Sequence, residues 1–362
     1  MRDVQHLEDT LGRLLSMTRE AGTPSAEEAR SIAADFLRGL GYTVTAQRFS
    51  FNPSSLNAFP LFGAGLGGIA VVLLPLLTFP AVPGWGAIVV LACGLGGLIL
   101  LAVGVGLGWI SLGGKPREDA NLLAVRGTVP VTRWVVAHLD TKAQAQSMAG
   151  RLVAVWVISV GIAALIALCA ARLMETVPLP LAASGASVAV LAGALAGRGR
   201  LRGLSQGARD NGTGVAAALA MAQASQDAAT GVLITGAEEF GMVGARVFVN
   251  SDRAHLESSV AINLDTIDQE GELYLVTHDR RGADLAAGEA RRLIAAGLSP
   301  RTRQLPLGIL VDSLPLARAG IPALTIGRLT WRTLRLIHTP KDAPEGLSLE
   351  TAMRVGRALA AN

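Results

Sequence analysis

No charged residue stands between Arg48 and Lys115. As the core of a soluble domain, a stretch that long would need covering on every side by the rest of the chain. As membrane-spanning helix it needs only lipid. One crossing takes about 20 apolar residues, so the stretch holds two. Pro80, Pro83 and Gly84 divide it into spans at 58–79 and 86–111. A third apolar run, Leu152 to Ala171, is bounded by Arg151 and Arg172. A fourth, Val177 to Gly197, is rich in Ala, Gly and Ser, carries Pro178 and Pro180, and ends against Arg198, Arg200 and Arg202. The four runs predict two helical hairpins. None has a charged residue in its interior, which counts against a transporter, whose substrate path needs one.

Composition supports this division. Of 362 residues, 51% are hydrophobic and 17% charged, below the rough quarter of charged residues usual in soluble domains. That balance excludes an intrinsically disordered chain. The two cysteines, Cys93 and Cys169, both lie in apolar runs, so a disulfide framework is not expected. The net charge of +4 comes with only 4% aromatics. The basic residues flank the spans rather than form one patch, so no nucleic-acid partner is expected. Gly63 to Gly68 matches the dinucleotide fingerprint G-x-G-x-x-G. It follows no strand and sits inside an apolar run, so the match is rejected. Gly63/Gly67 and Gly104/Gly108 have instead the spacing that lets membrane helices approach closely.

The polar remainder falls into 1–57, 112–149 and 198–362, interrupted by hairpins at 58–111 and 150–197. An even number of spans separates each piece from the next, so the three lie on one side and can build one domain. A helix is expected at 3–21 and a second from Ser25 to Leu40, with Ser25 and Glu28 as a capping box. A strand follows from Tyr42 to Phe51, and another ends at Ala137. Beyond residue 198, strands at 232–235, 260–264, 273–276 and 323–326 alternate with helices near 213–226, 241–251, 283–296 and 348–361. Such alternation predicts an α/β fold with a mixed, largely parallel sheet flanked by helices. The four transmembrane helices are inserted into it as two hairpins.

Ligand sites in open α/β sheets lie beyond the carboxyl ends of the strands. Here those ends read Ala137-His138-Leu139-Asp140, Thr235-Gly-Ala-Glu238-Glu239 and Asn263-Leu-Asp265-Thr266. Arg209-Asp210-Asn211-Gly212 opens a helix, and His338-Thr-Pro-Lys-Asp342 stands near the C-terminus. Each piece alone has an ordinary reading as a capped histidine, a helix-start charge or a turn. Two histidines and several carboxylates, each at the end of an element, are together what a metal site needs.

This set, in this order, resembles the co-catalytic dizinc aminopeptidases, the family of aminopeptidase Y and the bacterial leucyl aminopeptidases. The resemblance covers 1–57, 112–142 and 203–362 and leaves out the spans. It implies His138, Glu239, Asp265 and His338 as terminal zinc ligands and Asp210 as the bridge between two zinc ions. Asp140 would orient the imidazole of His138, and Glu238 would be the general base. Asn211 fits the family pattern in which the peptide bond after the bridging aspartate is cis. Gly320-Ile-Pro-Ala323 and the final helix match as well. One position departs: where many active members carry a tyrosine as oxyanion donor, this chain has Ile337. Thr330, Trp331 and Arg332 are the available substitutes. His6, His255 and His278 match no motif and are expected at the surface.

The resemblance implies a membrane-anchored zinc peptidase, most simply an aminopeptidase, acting on a peptide or protein substrate with the lipid bilayer as its other partner. Two alternatives within the same fold are a single-zinc acyltransferase of the glutaminyl cyclase kind and a catalytically weak receptor or scaffold. No apolar signal segment precedes the first helix. Arg48, Lys115, Arg117, Lys142, Arg151, Arg198, Arg200 and Arg202 flank the spans on the catalytic side, against Arg172 on the other. The positive-inside rule then predicts a cytoplasmic catalytic domain. Leu152 follows Asp140 by only 12 positions and Asp210 follows Gly197 by 13. That connectivity predicts a site near the bilayer surface, whose access the second hairpin shapes.

Overall fold

The structure, a computed structural model, describes residues 2–53, 58–106, 110, 112, 114–251, 256, 258–306 and 309–361. His255 and Gly108 lie outside the described residues. The chain forms two compact units, Met1–Phe51 with Pro116–Ala143 and Gly203–Asn362, and Asn52–Lys115 with Gln144–Arg202.

The first unit is built on an eight-stranded sheet. Its strands are β1 (Thr43–Phe51), β2 (Arg117–Val125), β3 (Arg133–His138), β4 (Thr230–Thr235), β5 (Val260–Ile267), β6 (Glu272–Thr277), β7 (Pro300–Gln304) and β8 (Ala323–Leu329). The order across the sheet is β1-β2-β4-β3-β5-β8-β6-β7. The four central strands β4, β3, β5 and β8 are mutually parallel. β1, β2 and β6 run antiparallel to their inner neighbours. All four central strands therefore end at the same edge.

Side chains alternate across the central strands, as the strand period of two requires. Val135 and Ala137 of β3, Val232 and Ile234 of β4, and Ile262 and Leu264 of β5 point into one core. Trp134, Val136, Leu233 and Ala261 point into the other. The first core is closed by α1 (Arg2–Leu15), α2 (Pro24–Gly39) and α7 (Thr213–Ala224). In α1, Leu7, Leu11 and Leu14 recur at helical spacing and are buried, while Glu8, Asp9 and Arg13 face out. α7 is apolar all round and buried along its length, the mark of a helix inside a core. The second core is closed by α8 (Val243–Ser251), with Phe248 edge-on to Trp134 at 5.1 Å.

The sequence expectation for α2 needs correction. Its N-cap is Thr23, whose side chain accepts from the Ala26 N–H, and Pro24 occupies the first helical turn. Ser25 is already inside the helix, and its hydroxyl donates to the Thr18 carbonyl. Pro suits the first helical position because its missing N–H is not needed there, so the start moves two residues upstream. The first helix also ends early, at Leu15.

The second unit holds α3 (Phe59–Thr78), α4 (Gly84–Gly106), α5 (Met148–Arg172) and α6 (Leu179–Gly197). All four helices are long and apolar enough to cross a membrane. α3 and α6 touch through glycines: a Cβ on Gly63 would collide with the Gly193 carbonyl, and one on Gly193 with the Gly63 carbonyl. Of the fingerprint-like glycines, Gly63 and Gly65 are thus packing residues, whereas a Cβ on Gly68 would meet nothing. Arg172, at the end of α5, is buried and donates to the carbonyls of Leu76, Phe79 and Val82. It satisfies backbone acceptors that the end of α3 leaves open.

Candidate metal centre

The common edge of the central strands gathers the predicted residues. His138 is the last residue of β3, Glu238 and Glu239 follow β4, and Asp265 lies near the end of β5. Asp210 sits in the turn that opens α7, and its peptide bond to Asn211 is cis. His338 follows α11 (Trp331–Leu336), the short helix after β8. The unit also holds α9 (Arg280–Ala295), the short α10 (Ser313–Arg318) and the last helix, α12 (Glu350–Ala360).

Two donor groups result, and they share one carboxylate. Ligand atoms of His138, Asp210 and Asp265 lie within 4.8 Å of one another, as do those of Asp210, Glu239 and His338. His138 Nε2 is 3.3 Å from Asp210 Oδ1 and 3.9 Å from Asp265 Oδ1. His338 Nε2 is 3.1 Å from Asp210 Oδ2 and 3.4 Å from Glu239 Oε1. Asp210 therefore turns one oxygen to each histidine.

Asp140 holds this arrangement in a way its spacing from His138 only partly suggests. Its two oxygens accept the backbone N–H groups of Glu238 and Glu239 at 3.0 and 3.1 Å. Its carbonyl lies 3.1 Å from His138 Nδ1, while its own carboxylate is 3.7 Å away. The imidazole is thus oriented by the backbone of Asp140, and the carboxylate positions the Glu238-Glu239 turn.

Three more residues bind the turns together. Asn211 donates to the Leu264 carbonyl at 2.8 Å and accepts from the Gly214 and Thr266 N–H groups. This ties the Asp210 turn to the end of β5. Asp342, four residues past His338, accepts the N–H groups of Arg209 and Asp210. Arg19 is fully buried and donates to the carbonyls of Leu139, Gln206 and Gly207 at 2.9, 2.7 and 3.0 Å. It clamps the end of β3 to the loop that leads into Asp210. Burial lowers its pKa to about 10, against the opposing pull of Asp342, Asp140 and Asp210. Nothing local in the sequence marks Arg19 or Asp342 for these tasks. Ala237, Thr266 and His338, each adjacent to or within the ligand set, have φ of 52, 52 and 63°. Non-glycine residues held there carry strain of about 1–3 kcal/mol each.

The electrostatics ask for cations. Glu238, Glu239, Asp210, Asp265 and Asp312 are gathered, and among the described residues Lys142 is the one nearby buried ammonium. Burial pushes the Glu238 carboxyl well above the usual range; His138 pulls it down, and Glu239, Asp312 and Asp265 push it further up. Burial likewise raises Asp265 to about 6 and Asp312 to about 7. Burial also works against Asp210, but hydrogen bonds and charge from His138 and His338 hold it below the carboxylate range. Burial would lower His138, yet Glu238, Asp140, Asp210 and Asp265 outweigh it and raise it well above its usual value. Glu239 Oε1 is buried without a hydrogen-bond partner. Uncompensated buried carboxylates are costly, and an imidazole with two carboxylates is a donor set that suits zinc. The residues fit a pair of such ions.

The remaining expectations fare unevenly. Ile337 is buried. The Thr330 hydroxyl caps α11 through Thr333, Trp331 is exposed, and Arg332 faces Glu270 at 3.8 Å. None of the three is shown turned to the ligand set. His6 is exposed and stacked on Phe36. His278 is half-buried rather than superficial, with Nε2 2.7 Å from the Ser313 hydroxyl. Asp312 was not anticipated; it accepts from the Thr235 hydroxyl at the end of β4.

Residues 187–362 match peptidase family M28. No curated protein matches the chain by sequence. Among solved structures, BSAP, a zinc aminopeptidase from Bacillus subtilis, is similar with 17% identity and a TM-score of 0.58, over 98% of this chain and 94% of that one. The aminopeptidase from Aneurinibacillus sp. strain AM-1 is similar with 16% identity and a TM-score of 0.56, over 98% and 92%. The glutaminyl cyclase of Fimbriiglobus ruber is similar with 16% identity and a TM-score of 0.57, over 99% and 92%. At such identity these likenesses speak for the fold alone. The chain thus carries the fold of the zinc aminopeptidases, and its residues 187–362, just under half of its length, are similar to peptidase family M28.

Proposed function

We propose that the protein is a membrane-anchored zinc metallopeptidase, most simply an aminopeptidase, that hydrolyses peptide bonds at the Asp210 centre. The observation that carries this reading is the sharing of Asp210 between two complete donor groups. Zinc bound there would supply Lewis acidity, bringing the pKa of a water toward ~7 and polarising the scissile carbonyl. His138, Asp265, Glu239 and His338 would be the terminal ligands and Asp210 the bridge. Glu238 is the residue left for proton transfer. Its carboxylate takes the proton of the attacking water and delivers it to the departing amine, so that one water is consumed and an acid and an amine are released. Asp140 holds the Glu238 backbone for that task.

The membrane reading rests on the second unit. Its helices expose Val71, Ile99, Leu100, Trp156, Val160 and Leu191, a surface that lipid covers at no cost and water does not. A glutaminyl-cyclase-like acyl transfer is the second reading, favoured by the similarity of fold. It needs one metal, whereas this site offers two donor groups.

The test is metal content with activity. Protein purified in detergent with zinc present should carry about two zinc per chain and release N-terminal residues from small peptides. A chelator should remove both metal and activity. Absence of bound transition metal would refute the reading, and one zinc with cyclisation of N-terminal glutamine would replace it by the second.

A further inference from the structure

The two donor groups have the same chemistry, one imidazole and two carboxylates with Asp210 in common, but their surroundings differ in two respects. Apart from its fellow ligand His138, the Asp265 carboxylate receives, among the described residues, a neutral hydroxyl from Thr266 at 3.0 Å. The Glu239 carboxylate is ion-paired through Oε2 to the buried Lys142 ammonium, which also lies 3.4 Å from the Glu239 carbonyl. The histidines differ as well. His138 Nδ1 has the Asp140 carbonyl at 3.1 Å to fix its tautomer. His338 Nδ1 is buried without a hydrogen-bond partner.

We propose that Lys142 is a positioning residue that makes the two metal sites unequal: the Asp210/Glu239/His338 site holds its cation more weakly than the His138/Asp210/Asp265 site. The inference rests on the two-metal reading above. A cation arriving at Glu239 meets a carboxylate whose charge is already neutralised, and like charges close together in a buried site repel strongly. A histidine whose second nitrogen is tied to a carbonyl is also the more basic and better oriented ligand. Both differences favour the His138 side. With no cation on the His338 side, Lys142 supplies the positive charge that Asp210 and Glu239 require. Such a site exchanges its second ion while keeping the first, so that activity would follow the free zinc concentration around the weaker constant.

The test is titration of the stripped full-length protein in detergent with zinc, in competition with a chromophoric chelator. Wild type should show two dissociation constants at least tenfold apart, a difference of about 1.4 kcal/mol. Lys142→Met should tighten the weaker constant about tenfold or more and leave the tighter one unchanged. Lys142→Arg, which keeps the charge, should keep the gap, and Lys142→Gln guards against a folding defect particular to Met. Two equal constants in wild type would overturn this inference alone, leaving two-metal catalysis intact. So would Met and Gln variants in which the weaker constant is unchanged, or in which both constants weaken together. Uptake of no zinc by wild type would remove the inference along with the reading beneath it.

Discussion

Glu238 and Glu239 are neighbours in sequence, yet their surroundings assign them different tasks. Glu239 has the Lys142 ammonium on one oxygen and His338 at 3.4 Å from the other, and these charges hold its pKa below the usual value despite burial. Glu238 has no ammonium beside it among the described residues, and burial drives its pKa up against the opposing pull of His138. A carboxyl displaced toward neutrality is suited to hold and release a proton. Glu238→Gln keeps volume and backbone, so it should bind zinc as wild type does while kcat falls by about 10²–10⁴. Retained turnover with retained metal would move the base elsewhere. At this scale the sequence was legible where function and position coincide. His138, Asp140, Asp210, Glu238, Glu239, Asp265 and His338 all stand at element ends, and a sequence displays element ends. Arg19, Lys142 and Asp342 were not legible as parts of the site, because their partners lie far along the chain. Arg19 meets Leu139 across 120 positions and Asp342 meets Arg209 across 133, and a lone Arg or Asp carries no sign of such a partner.

Elements were legible in proportion to their burial. The central strands β3, β4, β5 and β8 read as continuous apolar runs because both faces are covered. β2 was missed because it opens with Arg117-Glu118-Asp119. The Asp119 carboxylate tolerates burial because Arg30 of α2 pairs with it and the Gly22 and Ala120 N–H groups donate to it. β7, Pro300-Arg-Thr-Arg-Gln304, was missed because it is an edge strand. Proline and charge are how natural sheets blunt an edge, and they erase the strand signal. The packing of α12 on α7 gives a test at this scale. A Cβ on Gly356 would strike the Ala217 carbonyl, which is rigid helical backbone. Alanine gains about 1 kcal/mol over glycine in an open helix, but overpacking a tight contact costs about 1–3 kcal/mol. Because the obstacle is backbone, the contact should win, and Gly356→Ala should lower stability by about 1–2 kcal/mol. A thermal midpoint equal to or above wild type would show that the two helices can part cheaply.

Across the whole molecule, the four apolar runs were the plainest feature of the sequence, and four long apolar helices occupy them. The orientation they imply depends on how the basic residues near the span ends divide between the two sides. Of the eight on the catalytic side, Arg117 is engaged with Glu20 and Lys142 with Glu239, so these two serve the folded domain. Arg48, whose 3.9 Å pair with Glu27 is solvent-exposed at both partners and worth little, and Lys115, Arg151, Arg198, Arg200 and Arg202 flank the spans. On the other side stands Arg172, and its guanidinium is taken up by the carbonyls of Leu76, Phe79 and Val82. That leaves six against one, and the one has a structural reason to be where it is. Lys and Arg close to span ends resist translocation, whereas acidic residues count for little, so Glu175 near Arg172 does not restore the balance. The catalytic unit should face the cytoplasm. A phosphatase reporter fused after Asn362, active only outside the cytoplasm, should be silent, and a fluorescent reporter at the same point should be bright. Replacing Arg198, Arg200 and Arg202 together by Gln while adding three lysines between Met174 and Leu179 should raise the phosphatase signal. A phosphatase active on the unaltered chain would place the site outside and set the charge argument aside.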